Sequence, residues 1–232
     1  MKAGFPYALA RLHARIGRRP GADARRRLLA VDDFGHFLQQ AARAGFEPWL
    51  RNLGPASDAH AVELGLRETW RAGIGEVADW LPSNWQPALR WLAWAPDLPV
   101  LADVLEHGRW AGWMQRDPAF SRLPEGPGAA VREALRSWWP ELDDHGDGEV
   151  VAAWRARAKA LQPSLRGRAR DRMEELLAAQ IDPVDPEVLM RRFRRESGAP
   201  VRVFAWAGLA RVDFAFLRGE LVERRLRRPE AA

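Results

Sequence analysis

The sequence contains no cysteine, so neither a disulfide framework nor a thiolate metal site can form. It has one threonine, Thr69, and three isoleucines, Ile16, Ile74 and Ile181, so the β-branched runs that build strands are missing. No apolar run approaches the ~20 residues that a membrane-crossing helix needs. The opening, residues 1–12, is too short and too polar for a secretory signal. A soluble protein on the cytoplasmic side is the expectation from these absences. Lysine is nearly absent too, with only Lys2 and Lys159, and Tyr7 is the single tyrosine. Little therefore titrates between neutral pH and the arginine range, and a net charge of +5 suffices to lift the pI to 10.7. That charge argues only weakly for an anionic partner.

Several chemistries are missing as well. Neither lysine sits in a Gly-Lys-Ser/Thr phosphate loop, and no serine has glycines two before and two after it. The five histidines, His13, His36, His60, His107 and His145, show no i,i+4 pair and no His-Glu-x-x-His. The acidic run Asp143-Asp144-His145-Gly146-Asp147-Gly148-Glu149 fails the calcium-loop template, with His145 at the third position and Trp154 at the twelfth. It reads as a solvated linker with Asp147 as a helix cap. No catalytic residue, metal or cofactor is expected, and the chain reads as a non-enzyme.

What is present is helix. The composition, 47% hydrophobic and 29% charged, is that of a globular chain. Its twelve tryptophans fall mostly at helical spacing beside Leu and Ala, which marks them as core. Trp110 and Trp113, near turns, read as a contact surface. The fold class is all-α, a multi-helix bundle forming one domain over 1–232, with internal linkers at 117–128 and 141–148.

Periodicity places the helices. The first covers Pro6 to Arg18, with Leu9, Leu12 and Ile16 on one side, and the second Ala22 to Ala30. Asp32 or Asp33 caps a third, which Gly45 stops. A long helix capped by Ser57 or Asp58 runs to Trp80 on the apolar row Val62, Leu66, Trp70, Ile74, Val77 and Leu81. Its Gly65, Gly73 and Gly75 each cost about 1 kcal/mol against Ala, which suggests that another helix approaches closely there. Ser83 or Asn84 caps the next helix, Pro96 breaks it, and Asp97 caps a further one. Helices follow at 129–139, 149–161, 164–181 and 186–196. The last runs from Ala199 to Arg228 on the row Val203, Trp206, Ala210, Phe214, Leu217 and Leu221. At an offset of 64 residues, Leu28-Leu29-Ala30-Val31-Asp32-Asp33-Phe34 corresponds to Leu92-Ala93-Trp94-Ala95-Pro96-Asp97-Leu98, and Trp49-Leu50 to Trp113-Met114. This is either a repeated helical unit or coincidence in a chain rich in Leu, Ala and Trp.

Arginines cluster at Arg25-Arg26-Arg27, Arg191-Arg192-Phe193-Arg194-Arg195 and Arg224-Arg225-Leu226-Arg227-Arg228. In the last two, paired arginines surround one apolar anchor. The preferred reading is an amphipathic helix with a solvated basic face near its C-terminus. The sharper alternative is contact with phosphate, in lipid headgroups or nucleic acid.

Three stretches together resemble a known family. Tyr7-Ala8-Leu9-Ala10-Arg11-Leu12-His13-Ala14-Arg15 is similar to an opening Tyr-Ala-x-Ala-Arg-x-Arg-Ala helix. Leu89-Arg90-Trp91-Leu92 followed by Asp97-Leu98-Pro99-Val100-Leu101 resembles a central helix pair with an aspartate between. Asp213-Phe214-Ala215-Phe216-Leu217-Arg218 is similar to a C-terminal Glu-x-x-Asn-Leu-Arg, with Asp for Glu and Phe216 for Asn. The family that these stretches resemble is C/AC39, the socket components of archaeal-type ATP synthases and vacuolar-type ATPases. The chain is shorter than usual members, with the loss expected between Trp110 and Glu149. The resemblance implies a funnel-like fold of related helical units. It also implies a non-catalytic, peripheral coupling role on the cytoplasmic side of the membrane, between the central stalk and the proteolipid ring of a proton- or ion-transporting rotary V-type ATPase. Arg11, Arg15, Asp97, Asp213 and Arg218 are the candidate structural or partner-contact residues. The partners implied are the ring, the central stalk and the membrane surface. Nucleic acid is not among them, and a basic helical adaptor or nucleic-acid-binding protein is the alternative.

Overall fold

The structure is a computed structural model that describes residues 4–126, 128–142, 150–182 and 184–227. Among these residues every regular element is a helix. In chain order they are α1 (Phe5–Gly17), α2 (Ala22–Leu29), α3 (Phe34–Ala41), the short α4 (Glu47–Leu50), α5 (Ala59–Asp79) and α6 (Gln86–Trp91). Then follow α7 (Leu98–His107), α8 (Gly128–Arg136), α9 (Val150–Ala160), α10 (Arg168–Ala178), α11 (Pro186–Arg195) and α12 (Ala199–Arg227). The all-α expectation holds. The acidic run 143–149, with its expected cap Asp147, lies outside the described residues, as does Arg228.

The longest helix organises the rest. Every residue of α12 from Val203 to Leu209 is buried, not only the expected row. A helix apolar on all sides must be surrounded, and α1, α5, α10 and α11 pack around this one, with α3 touching it too. Further along, α12 narrows to one buried stripe through Phe214, Leu217 and Leu221. Each such Phe or Leu contributes about 1.5–3 kcal/mol relative to full exposure.

The tryptophans are core, as their spacing predicts. Eight are buried and the other four are partly buried against the same cluster. Trp91 and Trp154 clasp α6 to α9. The Trp91 indole N–H donates to the Trp154 carbonyl at 3.0 Å, and the Trp154 N–H returns to the Trp91 carbonyl at 3.4 Å. Trp139 completes this corner, with its ring centroid 5.1 Å from that of Trp91 and 5.6 Å from that of Trp94. Trp113, read as surface, is buried instead. The turn-rich stretch 117–126, expected within a linker, is packed as well: Phe120 and Leu123 are in the core and Asp117 is fully buried.

Three local expectations fail for stated reasons. Trp85, not Ser83 or Asn84, stands before α6, and its side chain does not cap. Pro96 lies inside a 3-10 turn, Leu92–Asp97, that leads directly into α7. Asp97 therefore enters α7 with φ −93° and ψ −14°, already helical. A capping side chain needs an extended backbone at its own position, so Asp97 makes no cap bond. Asp33, its counterpart in the repeat, has φ −73° and ψ 130°, and its carboxylate accepts from the His36 amide at 2.8 Å.

Candidate functional site

Two buried charge clusters flank α12. The first grows from α5, where Glu63, Arg67 and Arg71 recur at i, i+4 and i+8 beside the apolar row. Arg67, 1% exposed, donates from Nε to Asp97 at 2.8 Å and from Nη1 to Glu63. Its guanidinium lies 3.9 Å over the Trp113 ring, which is why that tryptophan is inside. Arg71 bridges two aspartates, meeting Asp97 at 2.8 Å and Asp117 at 2.6 and 2.8 Å. Asp117 also accepts from the Ala119 amide at 2.9 Å. From α12, Arg218 closes the chain of pairs on Glu63, with contacts of 2.6 and 2.9 Å, and is itself 46% exposed.

The environment sets the charge states. Burial pushes the Glu63 carboxyl up, but Arg218 and Arg67 more than offset it, and the group sits below the ordinary glutamate range. Burial dominates at Asp97 and raises it, against the pull of Arg71 and Arg67. Nearby Arg211 has a buried Nε without a hydrogen-bond partner. Burial, with repulsion from Arg67 and Arg218, pushes it down to about 10. At neutral pH it still carries its charge.

The second cluster joins α12 to the first two helices. Asp213 is held by Arg19 at 2.8 Å, just past the end of α1, and by Arg25 of α2. Burial raises its carboxyl, opposed by those two arginines. Arg25 also faces the Phe216 ring at 5.3 Å and the Phe46 ring at 5.7 Å.

A cleft of about 720 Å³ opens beside this cluster, between α1, α5 and α12. Arg11, Arg15, Arg18, Arg19 and Arg51 line it, against the carboxylates of Glu68, Glu76 and Asp213. Arg11 and Arg15 lie 4.5 and 4.6 Å from the centre of the Trp80 ring. Arg15 pairs with Glu76 at 2.5 Å, while Arg11 donates to the Tyr7 hydroxyl at 2.7 Å and reaches Glu76 at 3.9 Å. Gly45 forms part of the wall. Its φ of 111° is open to glycine, and a Cβ there would fall 2.3 Å from the Arg18 carbonyl oxygen. This tight turn, the five-residue π-turn Ala42–Phe46, presses against the backbone at Arg18.

The sequence candidates thus divide between two places. Arg11, Arg15 and Asp213 line the cleft, whereas Asp97 and Arg218 belong to the buried chain of ion pairs. Glu63, Arg67, Arg71, Asp117, Arg19 and Arg211 are not among the sequence candidates, and Arg25, read only as part of a basic cluster, is committed to Asp213. The i,i+4 stripe on α5 was the one local signal for three of them.

The C-terminal arginine run is committed to structure as well. Buried Arg224 donates to the carbonyls of Val31 at 2.8 Å and Leu28 at 3.4 Å, satisfying the end of α2, and lies 4.2 Å over Phe37. Arg225 lies 3.7 Å over Phe34 and donates to the Pro55 carbonyl, and Arg227 pairs with Glu223. The expected anchor is reversed, since Leu226 is 70% exposed. In the other run the anchor holds: Phe193 is buried, and Arg192 meets Glu196 at 2.8 Å and Glu175 at 2.9 Å.

Among the described residues no group of acidic or histidine side chains could hold a metal ion, and no helix is long and apolar enough to cross a membrane. No protein-family model, no curated protein and no solved structure matches this chain.

Proposed function

We propose that this chain is a non-catalytic coupling component of a vacuolar- or archaeal-type rotary ATPase, peripheral on the cytoplasmic face of the membrane, between the central stalk and the proteolipid ring. The observation that supports the reading best is how the three family-like stretches meet. They are far apart in sequence, yet the first packs on α12, the third lies on it and the second is tied to it through α5. The first is on α1, which packs on α12 with Ala8 and Leu12 buried. The second supplies Asp97, tied through Arg67 and Glu63 to Arg218 of the third. Asp213 of the third is tied to Arg19, just beyond the first.

A part that transmits torque has to hold its shape. Buried guanidinium–carboxylate pairs fix relative position strongly, because breaking one leaves a charge stranded away from water at a cost of about 3–5 kcal/mol. In this reading the helical units form a funnel-like socket for the stalk end, and the exposed side of Arg218 is available to a partner. The test is purification of the tagged chain from gently solubilised native membranes. Proteolipid and stalk proteins should be recovered in fixed ratio. A stable complex lacking both would overturn the proposal.

A further inference from the structure

The cleft beside Asp213 carries features that the packing of the bundle does not require. Its volume, about 720 Å³, lies within the usual few hundred to roughly 1,000 Å³ of small-ligand sites. Five guanidiniums line it against three carboxylates, and Asp213 is already shared with Arg25 from outside the cleft. Arg51 in turn pairs with Glu47 outside the cleft, so with both outside partners counted the cationic excess is two. Arg18 makes no ion pair among the described residues, and Glu68 at the same wall makes none either.

Arg19 gives the charge a direction. Its Nε is spent on Asp213, which fixes the guanidinium plane, while its Nη2 is buried and has no hydrogen-bond partner. A buried charged donor left unpaired costs more than ordinary stability can ignore. Arg19 itself lines the cleft, so an anion there would sit beside this guanidinium and offset its charge.

Gly73 points the same way. It sits in the middle of α5 and lines the cleft, and a Cβ built there would have nothing within 4 Å. No neighbour demands the missing side chain, in contrast to Gly65, where a Cβ would fall 2.9 Å from Leu53 Cδ2. A glycine at that position keeps the cleft open at the expense of the helix. The apolar part of the wall mixes aliphatic residues such as Ile16, Ile74 and Leu209 with the rings of Trp49 and Trp206.

We propose that this cleft binds a phosphate monoester with an apolar body, its dianionic head at Arg18 and Arg19 and its body against Trp49 and Trp206. A phosphate monoester is largely dianionic at neutral pH. Its oxygens match the paired N–H groups of a guanidinium better than a single carboxylate could match several. The site does not depend on the coupling role.

Two sources share this chemistry, a free nucleotide-like monoester and the headgroup of phosphatidic acid, and titration calorimetry with the full chain separates them. The probes are adenosine monophosphate, adenosine as the body without the head, and phosphatidylcholine vesicles with and without phosphatidic acid. Saturable binding of adenosine monophosphate, with adenosine at least about tenfold weaker, identifies a free ligand. Binding confined to the vesicles with phosphatidic acid identifies a lipid source. In either case Gly73→Leu, which fills the cleft where there is room and favours the helix, should abolish binding with an unchanged or raised melting temperature. Exposed Arg18→Ala should weaken it about tenfold or more. Failure of both probes to bind, or binding undiminished in a folded Gly73→Leu variant, overturns the proposal.

Discussion

Replacing Asp97 and Asp33 by asparagine makes the same chemical change at two corresponding positions, and the structure predicts very different costs. Asp97 accepts one charge-assisted hydrogen bond from Arg67 and one from Arg71, both at 2.8 Å, in a place closed to water. Such bonds contribute about 1.5–3 kcal/mol each, which sets a range of about 3–6 kcal/mol for losing both. Two factors keep the figure low in that range. Arg71 retains Asp117, and asparagine removes the desolvation cost that pushes the Asp97 carboxyl up. Asp97→Asn should therefore destabilise by about 3–4 kcal/mol, in line with other broken buried pairs. At about 2–4 °C per kcal/mol for a chain of this size, the melting temperature falls by roughly 10 °C. Asp33 is an exposed cap on the His36 amide, and asparagine caps about as well as aspartate. Asp33→Asn should cost less than about 1 kcal/mol by the same principle. Urea unfolding of both variants measures the difference directly. Costs within about 1 kcal/mol of each other would show that the Asp97 pairs contribute little net stability, and the reasoning from buried charge would fail.

Further outcomes follow from the same contacts. Glu63, held below the ordinary glutamate range by Arg218 and Arg67, contributes stability that is fully present above that range and is lost as pH falls through its folded value. Glu63→Gln should flatten the acid limb of a stability–pH curve below about pH 4.5 while lowering stability at pH 7. Arg224→Ala should cost about 1–3 kcal/mol, because it strands the Val31 carbonyl past the end of α2, while the Leu28 carbonyl keeps the Val31 amide at 3.1 Å. By contrast Leu226→Ser, at an exposed position, should stay within about 0.5 kcal/mol, and denaturant melts distinguish the two. Gly73→Ala should stabilise by up to about 1 kcal/mol, read as a small rise in melting temperature, since the new methyl meets no neighbour.

Most of the helical layout was legible because it is local. The 3.6-residue row on α5 and the caps Asp33 and Asp58 depend only on near neighbours in sequence, and the structure places them as read. Asp97 was misread for want of one fact, the 3-10 turn that carries the chain into α7 already helical. Its true partners, Arg67 and Arg71, lie 30 and 26 residues away, and no local rule reaches that far. Leu226 and Arg224 show another limit. Both fit an amphipathic pattern, but which one turns inward depends on the α2 carbonyls waiting across the bundle. The cleft was invisible for the same reason: it exists only where α1, α5 and α12 diverge, and Gly73 carries no sign of whether a helix or open space faces it.

The coupling role is tested most directly by removing the chain and measuring hydrolysis and transport separately in the same membrane vesicles. ATP hydrolysis should persist without ion transport, and transport should return when the wild-type chain is supplied. Ion transport that continues undiminished without the chain would contradict that role.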